Sequence, residues 1–414
     1  MTLAATVINR TTHDDPTSLI GIAALAKMAF DRIDLEPLRQ LLIDRIFKNP
    51  RDTAALMDLS AIKQLSGLRA DGLRLQAQAL AENRIYRRPS ATAAADALGL
   101  LAFMAPGDFM ANAPLEFLLE GSNVTLDLFY VMPGERRPAV IPEHDLAIVA
   151  VGESDDNRQV LRDVAALIRS WPRPVLNAPG RVDRLSRDAA SALLASTAGT
   201  AIPLTTRIER AQLLHIGCGE TTLETFLPAA SFPIIARPIG SHAGEGLSKL
   251  DDRAAVAAYL EGRQEQEFYI SPFVDYRGPD GLFRKYRIVL IDGRPYASHM
   301  AVSQHWMVHY LNAGMTESAA KRAEEARFMA AFDSDFAVKH EAALRAIAER
   351  VGLEYFAIDC GETPDGRLLL FEADVAMIVH AMDPPDMFPY KAPQMRKVFD
   401  AFHAMLHNHA RRRR

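Results

Sequence analysis

The sequence predicts an α/β protein of mixed α+β character with a helical segment near its N-terminal end. Three observations predict this class. Apolar residues recur at helical spacing over residues 17–47, short apolar runs alternate with helical ones from about residue 91, and two later Asp-Gly pairs each lie between apolar runs. These patterns are typical of helices, of a parallel sheet layer and of β-hairpins, respectively.

The composition is that of an ordinary globular chain. Its 414 residues suggest two or three domains, with 49% hydrophobic and 24% charged residues. A net charge of -5 argues against nucleic-acid binding. The two cysteines, Cys218 and Cys360, are too few for a disulfide framework, and we find no signal peptide and no apolar run of membrane length. We therefore expect a cytoplasmic protein without membrane contact.

Residues 1–90 form the predicted helical segment. Two helices over 17–47 precede a helix pair in "ALMDLSAIKQLSGLRADGLRLQAQAL", which has the pattern of one tetratricopeptide-like hairpin. The matching positions are Leu59, Ser60, Gly67, Gly72, Ala79 and Leu80. One repeat cannot form a long solenoid, so two interpretations remain open: a cap that recognises a peptide partner, or a bundle that only packs.

Residues 91–180 form the second predicted unit, a small parallel α/β domain. The apolar runs "LGLLAFMAP", "VTLDLFYVMP", "DLAIVAVGE" and "PVLN" alternate with other segments, including a helix near 156–170. The loop "GESDDN" after the third run could contact a substrate. A strand-to-helix turn with an N-cap is the interpretation that we favour.

A glycine-rich loop follows the apolar strand at 233–237. Gly240, Gly244 and Gly246 let the backbone turn so that its amide groups face an anion, which indicates a phosphate site. The spacing fits neither the Walker loop nor the dinucleotide fingerprint. Because glycine-rich turns without ligands are common, the loop alone does not decide the function.

A strand with two cations comes next. A two-residue hairpin loop at Asp292-Gly293 places Lys285 and Arg287 on one sheet face. Met300 and Ser298 then lie opposite them. Two cations on a buried strand favour an anion between them. The following stretch "SQHWMVHYLNAG" is expected to be a loop that either grips a substrate or packs, with the residues His305, Trp306, His309, Tyr310 and Asn312.

The last motif is an acidic hairpin within "LEYFAIDCGETPDGRLLLFEADVAMIVHA". A two-residue loop at Asp365-Gly366 places Asp359 opposite Glu372, and strand alternation puts Asp374 on the same face. The residues expected on the other face, turned toward a core, are Ile358, Cys360, Leu369 and Phe371. Facing carboxylates repel, so a cation should offset them. A magnesium ion and a salt bridge to a nearby Arg both remain open.

In this order the motifs resemble those of ATP-grasp carboxylate ligases, the group of D-alanine-D-alanine ligase, glutathione synthetase and the ribosomal-protein glutamate ligases. The resemblance covers roughly residues 175–385. It implies an ATP-grasp fold with a glycine-loop subdomain at 181–266 and a metal-bearing subdomain at 267–414. Related ligases are often dimers, so the resemblance also suggests a homodimer.

The resemblance further implies site residues. Arg187 and Arg237, both usually Lys in the family, would hold the ATP phosphates. Arg287, with Lys285 beside it, would stabilise charge on the transferred phosphoryl group. The other implied positions are the phosphate loop Gly240, Ser241, His242, Gly244 and Gly246; the adenine strand Ile270, Ser271, Phe273 and Val274; the metal ligands Asp359, Glu372 and Asp374, the last replacing the usual Asn; and His380, where relatives approach the acceptor or a core histidine would pack.

The implied reaction uses ATP and Mg²⁺ to activate a carboxylate as an acyl phosphate, which an amine then converts to an amide. The expected partners are small-molecule or peptide carboxylates and amines. Two other classes remain open from the sequence: a kinase or phosphotransferase on the same fold, and a non-catalytic peptide-binding protein with a vestigial nucleotide site. Mutually repelling acids kept beside phosphate-binding cations argue against a vestigial site.

Overall fold

A computed structural model describes residues 19–88, 97–134, 140–241 and 244–411. Its first helices are α1 (Ile22–Phe30), α2 (Glu36–Lys48), α3 (Thr53–Leu65) and α4 (Arg69–Glu82). Asp52 precedes α3 and caps it, because its side chain accepts a hydrogen bond from the amide of Ala55. The predicted helices over 17–47 and the helix pair after them are confirmed where described. The tetratricopeptide-like identity of the pair stays a prediction.

Two carboxylates from later in the sequence bind the backbone amides at the start of α1. Asp58 accepts from the amides of Ile20 and Gly21 at 2.9 and 3.1 Å, and Glu116 accepts from the amides of Ile22 and Ala23 at 3.2 and 3.3 Å. Amides at the start of a helix have no hydrogen-bond partner within the helix, and the positive end of the helix dipole lies there. An acidic side chain is therefore favourable at this position. The position of α1 relative to the first sheet is therefore fixed by hydrogen bonds as well as by packing.

The first sheet has the strand order β1-β3-β2-β4-β5. Its strands are β1 (Ile85–Arg88), β2 (Leu98–Met104), β3 (Val124–Tyr130), β4 (Leu146–Val149) and β5 (Val175–Leu176). The last four are parallel, as predicted. The short helix α5 (Leu115–Leu118) lies between β2 and β3, and the helix α6 (Arg158–Leu167) follows β4. The strand β1 was not in the prediction; it pairs antiparallel with β3 at the sheet edge. The predicted boundary between residues 90 and 91 lies outside the described residues.

The second sheet, of order β7-β10-β8-β9, is antiparallel and packs on a hydrophobic core of its own. Its strands are β7 (Thr206–Glu209), β8 (Ile234–Pro238), β9 (Ser248–Leu250) and β10 (Glu267–Pro272). Helices α9 (Arg210–Cys218) and α10 (Arg253–Leu260) contribute to that core. Before this sheet come α7 (Pro179–Val182), α8 (Arg187–Leu194) and the short strand β6 (Thr200–Ala201).

The third sheet has the order β12-β11-β13-β14-β6 and is antiparallel except for the last pair. It is built from β11 (Phe283–Ile291), β12 (Arg294–Ser303), β13 (Tyr355–Glu362) and β14 (Leu368–Asp374), with β6 at its edge. The remaining helices are α11 (Ala319–Ala331), α12 (Phe336–Lys339), α13 (Glu341–Val351) and α14 (Lys391–Arg411). The hydrophobic core of the third sheet is continuous with that of the first sheet. None of the helices in the described ranges combines the length and the apolar character needed to cross a membrane.

The hairpin of β11 and β12 confirms the predicted loop but corrects the register beyond it. Ile291 pairs with Arg294 across the loop Asp292-Gly293, whose positive φ values of 47° and 77° fit a tight hairpin turn. A β-bulge then shifts the pairing between Arg287 and Ile288. Two further pairs follow: Arg287 faces His299 rather than Ser298, and Lys285 faces Ala301 rather than Met300.

The acidic hairpin shows the same effect with a different outcome. Its loop is longer than predicted, because the Thr363 amide donates to the carbonyl of Arg367 and so closes a loop around Asp365-Gly366. A bulge between Asp359 and Cys360 compensates for the longer loop. Asp359 therefore still faces Glu372, as predicted, although the two-residue loop was wrong.

The bulge also changes which side chains share a face. Cys360 pairs with Leu370 and lies in the main core, whereas Leu369 pairs with Gly361 and packs in a separate cluster with Phe371. The prediction that Leu369 and Phe371 share the face of Cys360 was therefore wrong, because a one-residue shift moves side chains to the opposite face. Both bulges lie beside one cross-strand pair, Arg287 and Asp359.

Candidate functional site

One cavity of about 600 Å³ gathers most of the predicted site residues. Its walls come from β8 and β10 of the second sheet, from β11 to β14 of the third, and from the loops beside them. The predicted residues that line it are Arg187, Arg237, Gly244, Ser271, Phe273, Val274, Lys285, Arg287, Trp306, His309, Tyr310, Asp359, Glu372, Asp374 and His380. Four cations and three acids that are far apart in the sequence therefore meet around one space of ligand size.

The remaining predicted residues lie outside the lining. They are Gly240, Ser241, Gly246, Ile270, His305 and Asn312. Ile270 is fully buried in the core of the second sheet, because strand alternation turns its neighbours Tyr269 and Ser271 toward the cavity instead. His305 and Asn312 are exposed on their loop. His242 lies outside the described residues.

The Asp359 carboxylate holds two cations at the centre of the cavity. Arg287 donates from Nε to Oδ1 at 2.8 Å and from Nη2 to Oδ2 at 3.0 Å. Lys285 Nζ donates to Oδ2 at 2.9 Å. Burial would raise the pKa of Asp359, but Arg287 and Lys285 lower that pKa well below its usual value. In this structure the acid on β13 is therefore ionised and salt-bridged, which is one of the two interpretations that the sequence left open.

A second ion pair joins α8 to β14. Arg187, the first residue of α8, donates from Nη2 to Glu372 Oε1 at 2.5 Å and from Nη1 to the carbonyl of Phe371 at 3.2 Å. Burial would raise the pKa of Glu372, and the charge of Arg187 lowers that pKa below its ordinary value. Arg187 is thereby held at the cavity wall facing the second sheet.

Arg237 is a buried cation of a different kind. Its side chain on β8 contacts Ser241, with Nη2 3.1 Å from Oγ, and across the described residues it forms no ion pair with a carboxylate. Burial and then the charge of Arg187 lower its pKa to about 10. Glu372 offsets these effects only in part, and a buried guanidinium that makes no salt bridge among the described residues is costly, so this position favours an anionic ligand.

The three predicted metal ligands line the cavity but are not assembled into a metal cluster. In the parts of the chain that are described, no group of three His, Cys, Asp or Glu is arranged to hold an ion. Burial and then the charge of Glu372 raise the pKa of Asp374 to about 7. Glu372 raises this pKa although it is itself paired with Arg187, and carboxylate oxygens are ligands that suit magnesium. The donor chemistry therefore fits Mg²⁺.

The sequence missed two groups beside the site. His299 lines the cavity together with the predicted Ser298, and a bulge that hairpin arithmetic could not foresee brings it opposite Arg287. Glu153 lies in the "GESDDN" loop; burial and then Asp374 raise its pKa to about 7. That loop does form the favoured strand-to-helix turn, since Ser154 Oγ accepts from the Asn157 amide at 3.1 Å.

A buried polar network also borders the cavity. Lys391 Nζ lies 3.0 Å from Asp383 Oδ2 and 3.4 Å from Oε1 of the fully buried Glu325. Glu325 also accepts from the hydroxyls of Tyr310 and Tyr390 at 2.9 and 2.6 Å. Lys391, Asp383 and Tyr310 all line the cavity. The predicted loop residue Tyr310 is thus fixed by buried hydrogen bonds.

Comparison with known proteins gives structural matches at low sequence identity. No protein-family model matches the sequence. The chain is similar to a RimK domain protein ATP-grasp from Sphaerobacter thermophilus, with 16% identity, a TM-score of 0.40 and coverage of 75% of this chain and 99% of that one. The VanG D-Ala:D-Ser ligase from Enterococcus faecalis gives 13% identity and a TM-score of 0.45, with coverage of 75% and 99%.

A third match is the D-alanine-D-alanine ligase from Bacillus anthracis complexed with ATP. It has 12% identity and a TM-score of 0.43, with coverage of 76% of this chain and 98% of that one. Likeness at this level does not by itself give this chain an activity. These three solved structures are an ATP-grasp protein, a D-Ala:D-Ser ligase and a D-alanine-D-alanine ligase.

Proposed function

We propose that this chain is an ATP- and Mg²⁺-dependent ligase that activates a carboxylate as an acyl phosphate and joins it to an amine. One observation carries the proposal. Arg187, Arg237, Lys285 and Arg287 line the same cavity as Asp359, Glu372 and Asp374. Phosphoryl transfer needs cations that neutralise phosphate oxygens and carboxylates that hold a divalent ion, and both sets meet here.

The nucleotide is assigned to the end of the cavity beside the second sheet. Arg237 has no carboxylate partner among the described residues and would receive the ATP phosphates together with Arg187. The backbone turn at Gly244 lines the same end. Ser271, Phe273 and Val274, at the end of β10 and just beyond, would hold the adenine. In this proposal the ranges 181–266 and 267–414 are the two ATP-grasp subdomains.

The chemistry is assigned to the residues of β11, β13 and β14. A carboxylate oxygen of the substrate attacks the γ-phosphorus, and the bond from that phosphorus to the bridging oxygen of ADP breaks. The amine then attacks the acyl carbon, phosphate leaves with the former carboxylate oxygen, and the amine nitrogen loses a proton. Arg287 and Lys285 are placed to stabilise negative charge on the transferred group. Glu372 and Asp374, with Asp359, would hold Mg²⁺, which supplies charge neutralisation when bound.

Oxygen-18 transfer tests this proposal directly. The protein is incubated with ATP, Mg²⁺, pooled amines and ¹⁸O-labelled carboxylates, and ADP, phosphate and condensed products are followed by mass spectrometry. A ligase of this type transfers one labelled oxygen to inorganic phosphate and forms an amide. A phosphorylated product without an amide would indicate a phosphotransferase, and a folded protein with no ADP formation would refute catalysis. Arg187→Ala removes a proposed phosphate contact and should reduce ADP formation in the same assay. Arg184→Ala, outside the cavity lining, is its matched control.

A further inference from the structure

The helical segment contributes a side chain to the cavity. Phe30, the last residue of α1, lines the cavity and is 38% exposed. Leu311, on the loop after β12, lines it too and is 80% exposed. Exposed apolar side chains scattered singly need no explanation, but two that border one cavity indicate a ligand with an apolar part.

Phe30 belongs to an apolar wall that no role in nucleotide binding explains. Its ring centroid lies 6.4 Å from that of His380, and the buried Phe117 lies 6.2 Å from His380. Met382 contacts His380 through its amide, and Met110 and Met377 also line the cavity. Thioether and aromatic side chains together form a surface that adapts to aromatic or aliphatic groups. The wall therefore suits an apolar group, and the charged side chains Asp383, Lys391 and Arg287 lie beside it.

A polar group for the same ligand lies inside this wall. The amide of Met382 donates to Nδ1 of His380 at 3.1 Å, so the neutral ring carries its proton on Nε2. Burial lowers the pKa of His380 to about 4, which keeps the ring neutral at physiological pH. An Nε2–H group in a cavity is a donor for a carbonyl or carboxylate oxygen. The described residues provide no hydrogen-bond acceptor for it.

We propose that the Phe30 end of the cavity binds an amino-acid-like reactant with an aromatic or large aliphatic side chain, and that Phe30 sets this preference. The inference rests on the proposed ligase function and names its substrate class. The two acids that hold the start of α1, Asp58 and Glu116, keep the helix on the rest of the chain. The helical segment thus acts in substrate selection, beyond the packing role that the sequence left open.

The test compares Phe30→Ala with Phe47→Ala. Phe47 is an aromatic residue of the same helical segment, 88% exposed and outside the cavity lining, so its removal controls for the loss of a surface aromatic group. Because Phe30 is partly exposed, both variants are expected to fold, which their melting temperatures check. Phenylalanine, leucine, alanine and glycine serve as probes, each as the free amino acid, the N-acetyl form and the amide. The pooled carboxylates and amines are present as co-substrates, because the amide has no carboxylate to activate and the N-acetyl form has no amine.

We expect ADP formation to be faster with phenylalanine and leucine forms than with alanine and glycine forms. Phe30→Ala should raise KM for the large probes about tenfold, with KM for ATP unchanged, and Phe47→Ala should leave both unchanged. A preference for small or acidic probes, or equal effects of the two variants, overturns the inference while leaving a ligase in place.

Calorimetric titration of the same probes into the protein with ADP gives a readout that does not need turnover. Tighter binding of the large probes, lost in Phe30→Ala, supports the site even where no ADP forms and the proposed ligation fails. Absence of any such difference in binding overturns the site, whatever the activity measurements show. The two proposals can therefore fail separately.

Discussion

Arg287 and Asp359 face each other across β11 and β13 and form a two-point ion pair, with N–O distances of 2.8 and 3.0 Å. Arg287 uses its remaining terminal nitrogen for the carbonyl of Ile378 at 3.0 Å. Its guanidinium is thus held in one orientation, and Lys285 shares the same carboxylate. Fixed cations of this kind stabilise developing charge without reorganising during the reaction.

The pair gives the first prediction, on stability. Asp359→Asn should cost about 3–5 kcal/mol in the free energy of unfolding, because it leaves Arg287 and Lys285 buried without a counter-charge. Arg287→Met should cost less, since Lys285 still neutralises the carboxylate. Urea denaturation of both variants measures the difference. In Asp359→Asn, ATP should restore more stability than it adds to the unmodified protein, because phosphate replaces the missing charge. Equal losses in the two variants would contradict this account.

Arg237 gives the second prediction, on nucleotide affinity. Arg237→Ala should weaken ATP binding about tenfold to a hundredfold, because a charge-assisted contact to phosphate is lost in a buried place. Arg237→Lys should recover part of the affinity, since it keeps the charge and loses the planar fork. Without ATP, Arg237→Ala should destabilise the fold less than Asp359→Asn does, because it removes contacts to Ser241 and no salt bridge among the described residues.

Isothermal titration with a non-hydrolysable ATP analogue and thermal unfolding without nucleotide separate these effects. Arg184→Ala serves as the control for loss of a nearby Arg outside the cavity lining. A large loss of stability in Arg237→Ala without nucleotide would show that the residue is structural.

The hairpins show how far the sequence could predict the site. Turn chemistry and strand alternation gave the facing of Asp359 and Glu372, which the structure has. This prediction was correct because the longer loop and the bulge shift the register by equal amounts in opposite directions. In the other hairpin the loop was right, and the bulge left Ser298 predicted opposite Arg287, where His299 lies. A bulge depends on packing against the neighbouring strands, so local sequence could not reveal it.

Residues brought in by tertiary packing were beyond the sequence altogether. The local pattern marks Phe30 as an apolar position in a helix. It does not indicate that Phe30 reaches the cavity that Leu311, 281 positions later, also lines. Glu153 lies in a turn with ordinary capping, and its nearness to Asp374 arises only when the first and third sheets come together. Cations and acids with recognisable neighbours were predictable because strands and glycine turns have strong local patterns.

Asp374 gives a third prediction, on magnesium. Asp374→Asn should weaken Mg²⁺ binding about tenfold, because it removes one of the carboxylates that would hold the ion, whose pKa burial and then the charge of Glu372 raise to about 7. The measurement is the rise in melting temperature with Mg²⁺ concentration in the presence of ADP, which needs no turnover. Asp386→Asn removes an exposed acid outside the cavity lining and should leave this rise unchanged. An unchanged response in Asp374→Asn would place the metal elsewhere.

His380 gives the fourth prediction, on pH. Burial lowers its folded-state pKa from 6.5 to about 4, so between these values the unfolded chain binds a proton that the folded chain does not. The groups facing the ring, Asp383, Lys391 and Arg287, partly offset one another. The contribution of His380 to stability is therefore complete above about pH 7 and falls as the pH drops toward 4.

At pH 5 this loss should amount to about 1–2 kcal/mol relative to pH 7.5, and His380→Gln, which cannot titrate in this range, should lack that part of it. Denaturant unfolding of both proteins at the two pH values gives the free energy of unfolding, and the loss between pH 7.5 and 5 is compared between the two proteins. His407→Gln is the control, because that histidine lies on α14 outside the cavity lining. If His380→Gln and the unmodified protein lost stability equally between pH 7.5 and 5, the ring would already be titrating as an exposed group, and a neutral Nε2–H donor at the Phe30 end could not be maintained.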